Sequence, residues 1–150
     1  MGYTNLENQR NIDLIEELLN NGTEAPWVEF KHNNCDPKMI GKLCSALSNS
    51  ARIEGQNFAY IVWGIEDETH EKIGTSFDYE KHTVGNQLFQ IWLADRLEPS
   101  LAFQFKTVNY SDEARLVMLE IPAAISSPTT FDSIGSVSYT HLTLPTTSRV

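Results

Sequence analysis

The sequence lacks most of the features that assign a protein at sight. It has two cysteines in 150 residues. Cys35 and Cys44 fall in no metal or redox motif, so both are expected as reduced, buried thiols of a cytoplasmic protein. No apolar run approaches the roughly 20 residues that a membrane span requires. The N-terminus, Met1 to Gln9, has no apolar signal-peptide core, and Leu6 stands where a myristoylation motif needs Ser or Thr. No internal repeat is visible. His32, His70 and His82 show no ligand spacing. Positive charge is scarce as well: 11 Lys and Arg face 20 Asp and Glu, a net charge of -9. That balance excludes a protein that coats nucleic acid through bulk charge alone.

What is present describes one soluble domain with a real core. Hydrophobic residues make up 41% of the chain and charged residues 21%. The charge is uneven. Residues 30–52 carry Lys31, Lys38, Lys42 and Arg52 against Asp36 alone, four cations to one acid or +3, which leaves -12 on the remainder. A local basic patch on an acidic body can bind phosphate weakly.

Periodicity predicts an alternation of helices and strands. Residues 5–21 form an amphipathic helix with Leu6, Ile12, Ile15, Leu18 and Leu19 as its apolar stripe. Residues 27–31 form a short strand in which Val28 and Phe30 face one way and Trp27, Glu29 and Lys31 the other. Asp36-Pro37 starts a second helix, through Asn49, that buries Met39, Ile40, Leu43, Cys44 and Leu47 and places Lys38, Lys42, Ser45 and Asn49 on another face. A polar loop around Gly55 follows. Residues 58–65 are apolar on both faces, as in a covered central strand, and Glu66-Asp67-Glu68 follows at its end. Residues 71–74 suggest a return strand, 84–97 a helix, and 101–108 with 115–121 a hairpin. The Pro-, Ser- and Thr-rich stretch 122–136 reads as a loop leading toward a further strand. The expected fold class is α+β, with a mixed sheet of about five or six strands flanked by helices.

The run Val137 to Thr146 breaks the style of the chain. It resembles, codon for codon, one reading frame of a transposase sequencing adapter. Residues 137–150 are therefore expected to be a non-native tail, with the natural part ending near Ser136, and His141 and Arg149 are set aside as site residues.

Three motifs in order carry a family resemblance. Glu24 with Glu29-Phe30-Lys31, then Ser45 to Asn49, then Ile61 to Asp67, resemble the Schlafen-type AlbA domain, often described as DNA-binding. Lys72 to Thr75 resembles that family's return strand, and Ile121 to Ala124 the loop before its last strand. The resemblance implies one such domain over residues 23–136, truncated before its last strand and preceded by a packed helix at 1–22. It also implies missing C-terminal domains of the same protein, ATP-binding or winged-helix in type. One departure is that only Gly55 follows the asparagine, where the family has paired glycines.

Three functions stay open at this stage. In the first, the chain is a regulatory module that binds DNA or RNA, with Lys31, Lys38, Lys42 and Arg52 contacting phosphate and Asn49 hydrogen-bonding. In the second, implied by the RNA-cleaving Schlafen branch, Glu24, Glu29 and Asp67 converge on Mg²⁺ or Mn²⁺ and Lys31 offsets transition-state charge in a metal-dependent nuclease. In the third, the domain contacts proteins or senses a ligand. The net charge supports this third reading, and a basic patch found neutralised by Glu24, Glu29 and Glu54 would favour it.

Overall fold

A strand that is apolar on both faces needs a layer on each side, and the fold is built around one such strand. The computed structural model describes residues 2–22 and 25–132. The chain runs α1 (Gly2–Gly22), β1 (Val28–Lys31), α2 (Pro37–Ile53), β2 (Phe58–Trp63), β3 (Thr83–Val84), β4 (Gln87–Leu88), α3 (Phe89–Arg96), β5 (Leu97–Glu98), β6 (Gln104–Ser111), β7 (Ala114–Pro122) and β8 (Thr130–Phe131). The main sheet has the order β1-β2-β7-β6. β1 runs parallel to β2, while β2–β7 and β7–β6 are antiparallel, so the sheet is mixed and the fold is α+β. Among the described residues it holds four strands, and the other strands form two small ribbons, β3–β4 and β5–β8.

Alternation along β2 divides the interior into two layers. Ala59, Ile61 and Trp63 join Val117, Leu119 and Ile121 of β7 under Ile40, Cys44, Leu47 and Ala51 of α2, with Phe89, Trp92 and Leu93 of α3 completing that core. Tyr60 and Val62 point the other way, with Val28, Val108, Leu116 and Met118, under Ile15 and Leu18 of α1. Leu6, assigned by periodicity to the α1 stripe, is 55% exposed. The same helix closes the open edge of the sheet: Asn8 exchanges two hydrogen bonds with the backbone of Asn109 on β6, at 2.9 and 2.8 Å.

Four local expectations are corrected by tertiary context. α2 continues to Ile53 instead of ending near Asn49, because Ser48 and Asn49 find partners outside the helix and need no loop to satisfy them. The expected helix over 84–97 is helical only from Phe89. Gly85, at φ +62°, turns the preceding residues into a ribbon in which Val84 pairs with Gln87. Its buried residues are Phe89, Trp92 and Leu93, while Leu88 and Ile91 face outward. Residues 71–74 make one isolated bridge, Ile65 with Lys72, rather than a strand. Cys44 is buried as expected, but Cys35 is only half-buried; both are free thiols.

Candidate functional site

The motifs that are far apart in sequence meet at one glycine. The Lys31 carbonyl, at the end of β1, accepts from the amides of Gly64 at 2.8 Å and Ile65 at 3.0 Å. The Gly64 carbonyl in turn accepts from Ile73 at 2.8 Å and Gly74 at 2.9 Å. Gly64 sits at φ +105°, and a Cβ there would lie 2.5 Å from a Leu116 methyl and 3.2 Å from the Gly74 backbone. Only glycine supplies that conformation and that approach. The Glu29-Phe-Lys, Trp-Gly-Ile-Glu-Asp and Lys-Ile-Gly-Thr segments are thus three sides of one backbone knot.

The knot fixes a polar surface at the end of β1 and β2. Beyond it, the Glu66 carboxylate accepts from the amides of Glu68 at 2.8 Å and Thr69 at 2.7 Å and from the Thr69 hydroxyl at 3.0 Å. The hydrogen bond from the Thr69 amide is the chief reason that Glu66 titrates below the usual glutamate range, with the Glu68 amide next and His32 adding a smaller pull. Glu66 is therefore a turn-former, and Asp67 and Glu68 are displayed to solvent by it. The loop after β1 is equally fixed. The Asn33 side-chain oxygen accepts from the Thr75 hydroxyl at 2.6 Å and the Ser76 amide at 3.0 Å, and Trp63 Nε1 donates to the Asn34 carbonyl at 2.7 Å. Asp36 then caps α2 by accepting from the Met39 amide at 2.9 Å.

Of the proposed carboxylate trio, Glu29 lies half-buried within β1, Asp67 is exposed in the turn after β2, and Glu24 lies outside the described residues. Glu29 is paired with Lys31 at 3.4 Å, so that lysine is neutralised by its own strand. Among the described residues, no group of three His, Cys, Asp or Glu is placed to hold a metal ion.

The remaining cations behave differently. Lys38, Lys42 and Arg52 are exposed and make no ion pair within 4.0 Å with any other described residue. At 3.6 residues per turn they share an arc of roughly 80° on α2, and at 1.5 Å rise they span about 21 Å. Glu54, close in sequence, does not neutralise them. Asn49 lies on the same arc but is occupied: its amide donates to the Thr129 carbonyl at 3.0 Å and its oxygen accepts from the Thr129 amide at 2.8 Å. With the Ser48 hydroxyl donating to the Pro122 carbonyl at 2.7 Å, the Ser45 to Asn49 motif clips the 122–131 segment onto α2. That segment also supplies what sequence reasoning missed. The Phe131 ring lies against Gly41, where a Cβ would overlap it, and Thr129 is the buried partner of Asn49. The only sequence signal for this contact is a glycine inside a helix pattern.

The class that fold and surface define is a helix-covered mixed-sheet domain with a three-motif knot and a basic helix face. The chain belongs to the Schlafen AlbA_2 family, which matches residues 24–141. The match begins after α1, although α1 supplies Ile15 and Leu18 to the core, and it runs past residue 137, where the adapter-like run starts. That run and any strand after residue 132 lie outside the described residues. No curated protein matches the chain. Among the described residues, no helix is long and apolar enough to cross a membrane.

Proposed function

We propose that this chain is a nucleic-acid-binding regulatory module, the N-terminal part of a larger protein with an ATP-binding or winged-helix domain. Membership of the Schlafen AlbA_2 family is consistent with a nucleic-acid-related role. The observation that carries the reading is the α2 stripe: Lys38, Lys42 and Arg52 stand exposed and without an ion pair among the described residues, in a segment of net charge +3 on an acidic chain. Buried charges pair and solvated ones scatter; three on one face, held at fixed spacing by a capped helix, suit a phosphate backbone. Lys31 contributes less, because Glu29 holds it.

Three contacts predict weak, sequence-tolerant binding with a salt slope of about -3 on duplex DNA. The Lys38→Ala/Lys42→Ala double variant is expected to reduce that slope by about 2 and to weaken binding to all sequences alike. Fluorescence anisotropy with labelled duplex DNA and single-stranded RNA, from low to moderate salt, reads both. Salt-independent affinity, or unchanged binding by a folded double variant, would remove the proposal.

A further inference from the structure

On the opposite side of the sheet from α2, the α1 layer stops short of the start of β2. There a groove of about 400 Å³ opens, lined by Leu14, Glu17, Leu18, Trp27, Phe58 and Tyr60 and rimmed by Gln56 and Asn57. Its walls are aromatic: the Trp27 and Tyr60 rings are 6.4 Å apart and inclined at 59°, and Phe58 is 38% exposed although it heads a strand otherwise buried. Tyr60 is 8% exposed, yet its hydroxyl has no hydrogen-bond partner among the described residues and is not sealed from solvent. A phenol that is buried by its ring and left unpartnered at its tip, on the wall of a groove, is a ligand contact waiting for its donor or acceptor.

The electrostatics fix the sign of that ligand. Burial, then Glu120, then Glu17 push the Tyr60 hydroxyl up to about 12, so it stays protonated and sits in a negative field. Of the two acids, Glu120 is shared with Lys106 at 3.2 Å, whereas Glu17 is exposed and has no ion pair within 4.0 Å among the described residues. α1 adds Glu7, Asp13 and Glu16 against Arg10 alone. An anion is repelled here. A neutral apolar ligand leaves Glu17 and the phenol unused. A cation finds aromatic faces, a carboxylate and a phenol oxygen together.

We infer that the groove between Trp27, Phe58, Tyr60 and Glu17 binds an organic cation, an alkylammonium or guanidinium group. The aromatic faces take the charged head, and Glu17 balances it. The group arrives either on a small free amine or at the tip of a basic side chain of a partner. This site lies across the sheet from the α2 stripe and does not depend on the nucleic-acid reading.

The test is a titration of the 150-residue chain, followed through the Trp27 indole resonance, with three probes. These are choline, its neutral isostere 3,3-dimethylbutan-1-ol, and a short arginine-containing peptide. Saturable shifts with choline or the peptide, and none with the isostere, are expected; choline alone identifies a free amine, and the peptide alone identifies a partner's side chain. Phe58→Ala is expected to weaken binding about two- to fivefold and Glu17→Gln about twofold. Tyr60→Phe, which keeps the ring and the fold, loses the contact to the hydroxyl and is expected to weaken it to a similar degree. Equal binding of the isostere, no saturable shift with either cation, or unaltered affinity in folded Glu17→Gln and Tyr60→Phe would overturn the inference.

Discussion

The two faces of the sheet are built from the same strands and end with opposite characters. The α2 face has the larger core, fifteen buried residues among those described against nine on the α1 face. It is rich in rings, with Trp63, Phe77 and Phe89 each in contact with Phe105. Its helix is capped at the N-terminus by Asp36 and clipped along its flank by Thr129, so these contacts use none of its cations, which are left outward. The α1 face is thinner, is acidic on its helix, and leaves Phe58 and Tyr60 partly uncovered at one end. Rigidity and surplus positive charge go together on one side, and an incomplete acidic cover lies on the other. A domain can in this way present two chemistries without a second domain.

The comparison breaks most directly in its cores. Trp63→Ala removes a fully buried indole and its hydrogen bond to Asn34, and is expected to cost about 4 kcal/mol. Leu18→Ala on the thinner face should cost about 2–3 kcal/mol, since the neighbouring groove lets the site collapse. Urea midpoints at unchanged m-value check both, and equal losses would show that the faces are energetically alike.

Gly64→Ala tests the knot that serves both faces. Strain at φ +105° together with overlap at Leu116 and crowding against the Gly74 backbone is expected to cost about 3 kcal/mol, and the loss should appear in the amide exchange of Ile65 and Gly74 as well as in global unfolding. An Asn49→Ala variant is smaller and one-sided. It orphans the Thr129 amide and carbonyl, costs about 1–3 kcal/mol, and should leave binding to nucleic acid unchanged if the α2 stripe acts through Lys38, Lys42 and Arg52. Weakened binding at unaltered stability would restore Asn49 as a contact.

The smallest effect is the acid response of the turn after β2. Glu66 has its carboxyl held below the ordinary range in the fold, so its contribution is fully present above the unfolded value of about 4.3 and is lost as pH falls through the lower folded value. The amide resonances of Glu68 and Thr69 should therefore shift together below the normal glutamate range, and Glu66→Gln should abolish that shared titration. Separate titration of the two amides would mean that the carboxylate does not organise the turn.

Much of this was written in local pattern. Asp36-Pro37 set the start of α2, alternation set the two faces of β1 and β2, and the motif order set the family. The motif residues themselves were legible as a group but not by role. Glu66 reads like any acid at a strand end, and nothing in its neighbours shows that two amides and a hydroxyl consume it. Asn49 likewise shares an arc with the lysines, and only Thr129, eighty residues away, separates it from them. The ribbon at Gly85 escaped because its apolar spacing also fits a helix, and the decision lay in one positive φ.

What the sequence determined by itself is therefore what depends on neighbours along the chain: caps, periods, the excess of positive charge in residues 30–52, and the family signature. The tertiary structure decided which polar groups are spent and which are spare. It paired Lys31 with Glu29, closed Asn49 onto Thr129, left Lys38, Lys42 and Arg52 free of ion pairs among the described residues, and left the Tyr60 hydroxyl without a partner among them. The physical reason is that a polar group's availability depends on its partners in space, and here those partners come from distant segments that no local spacing brings together.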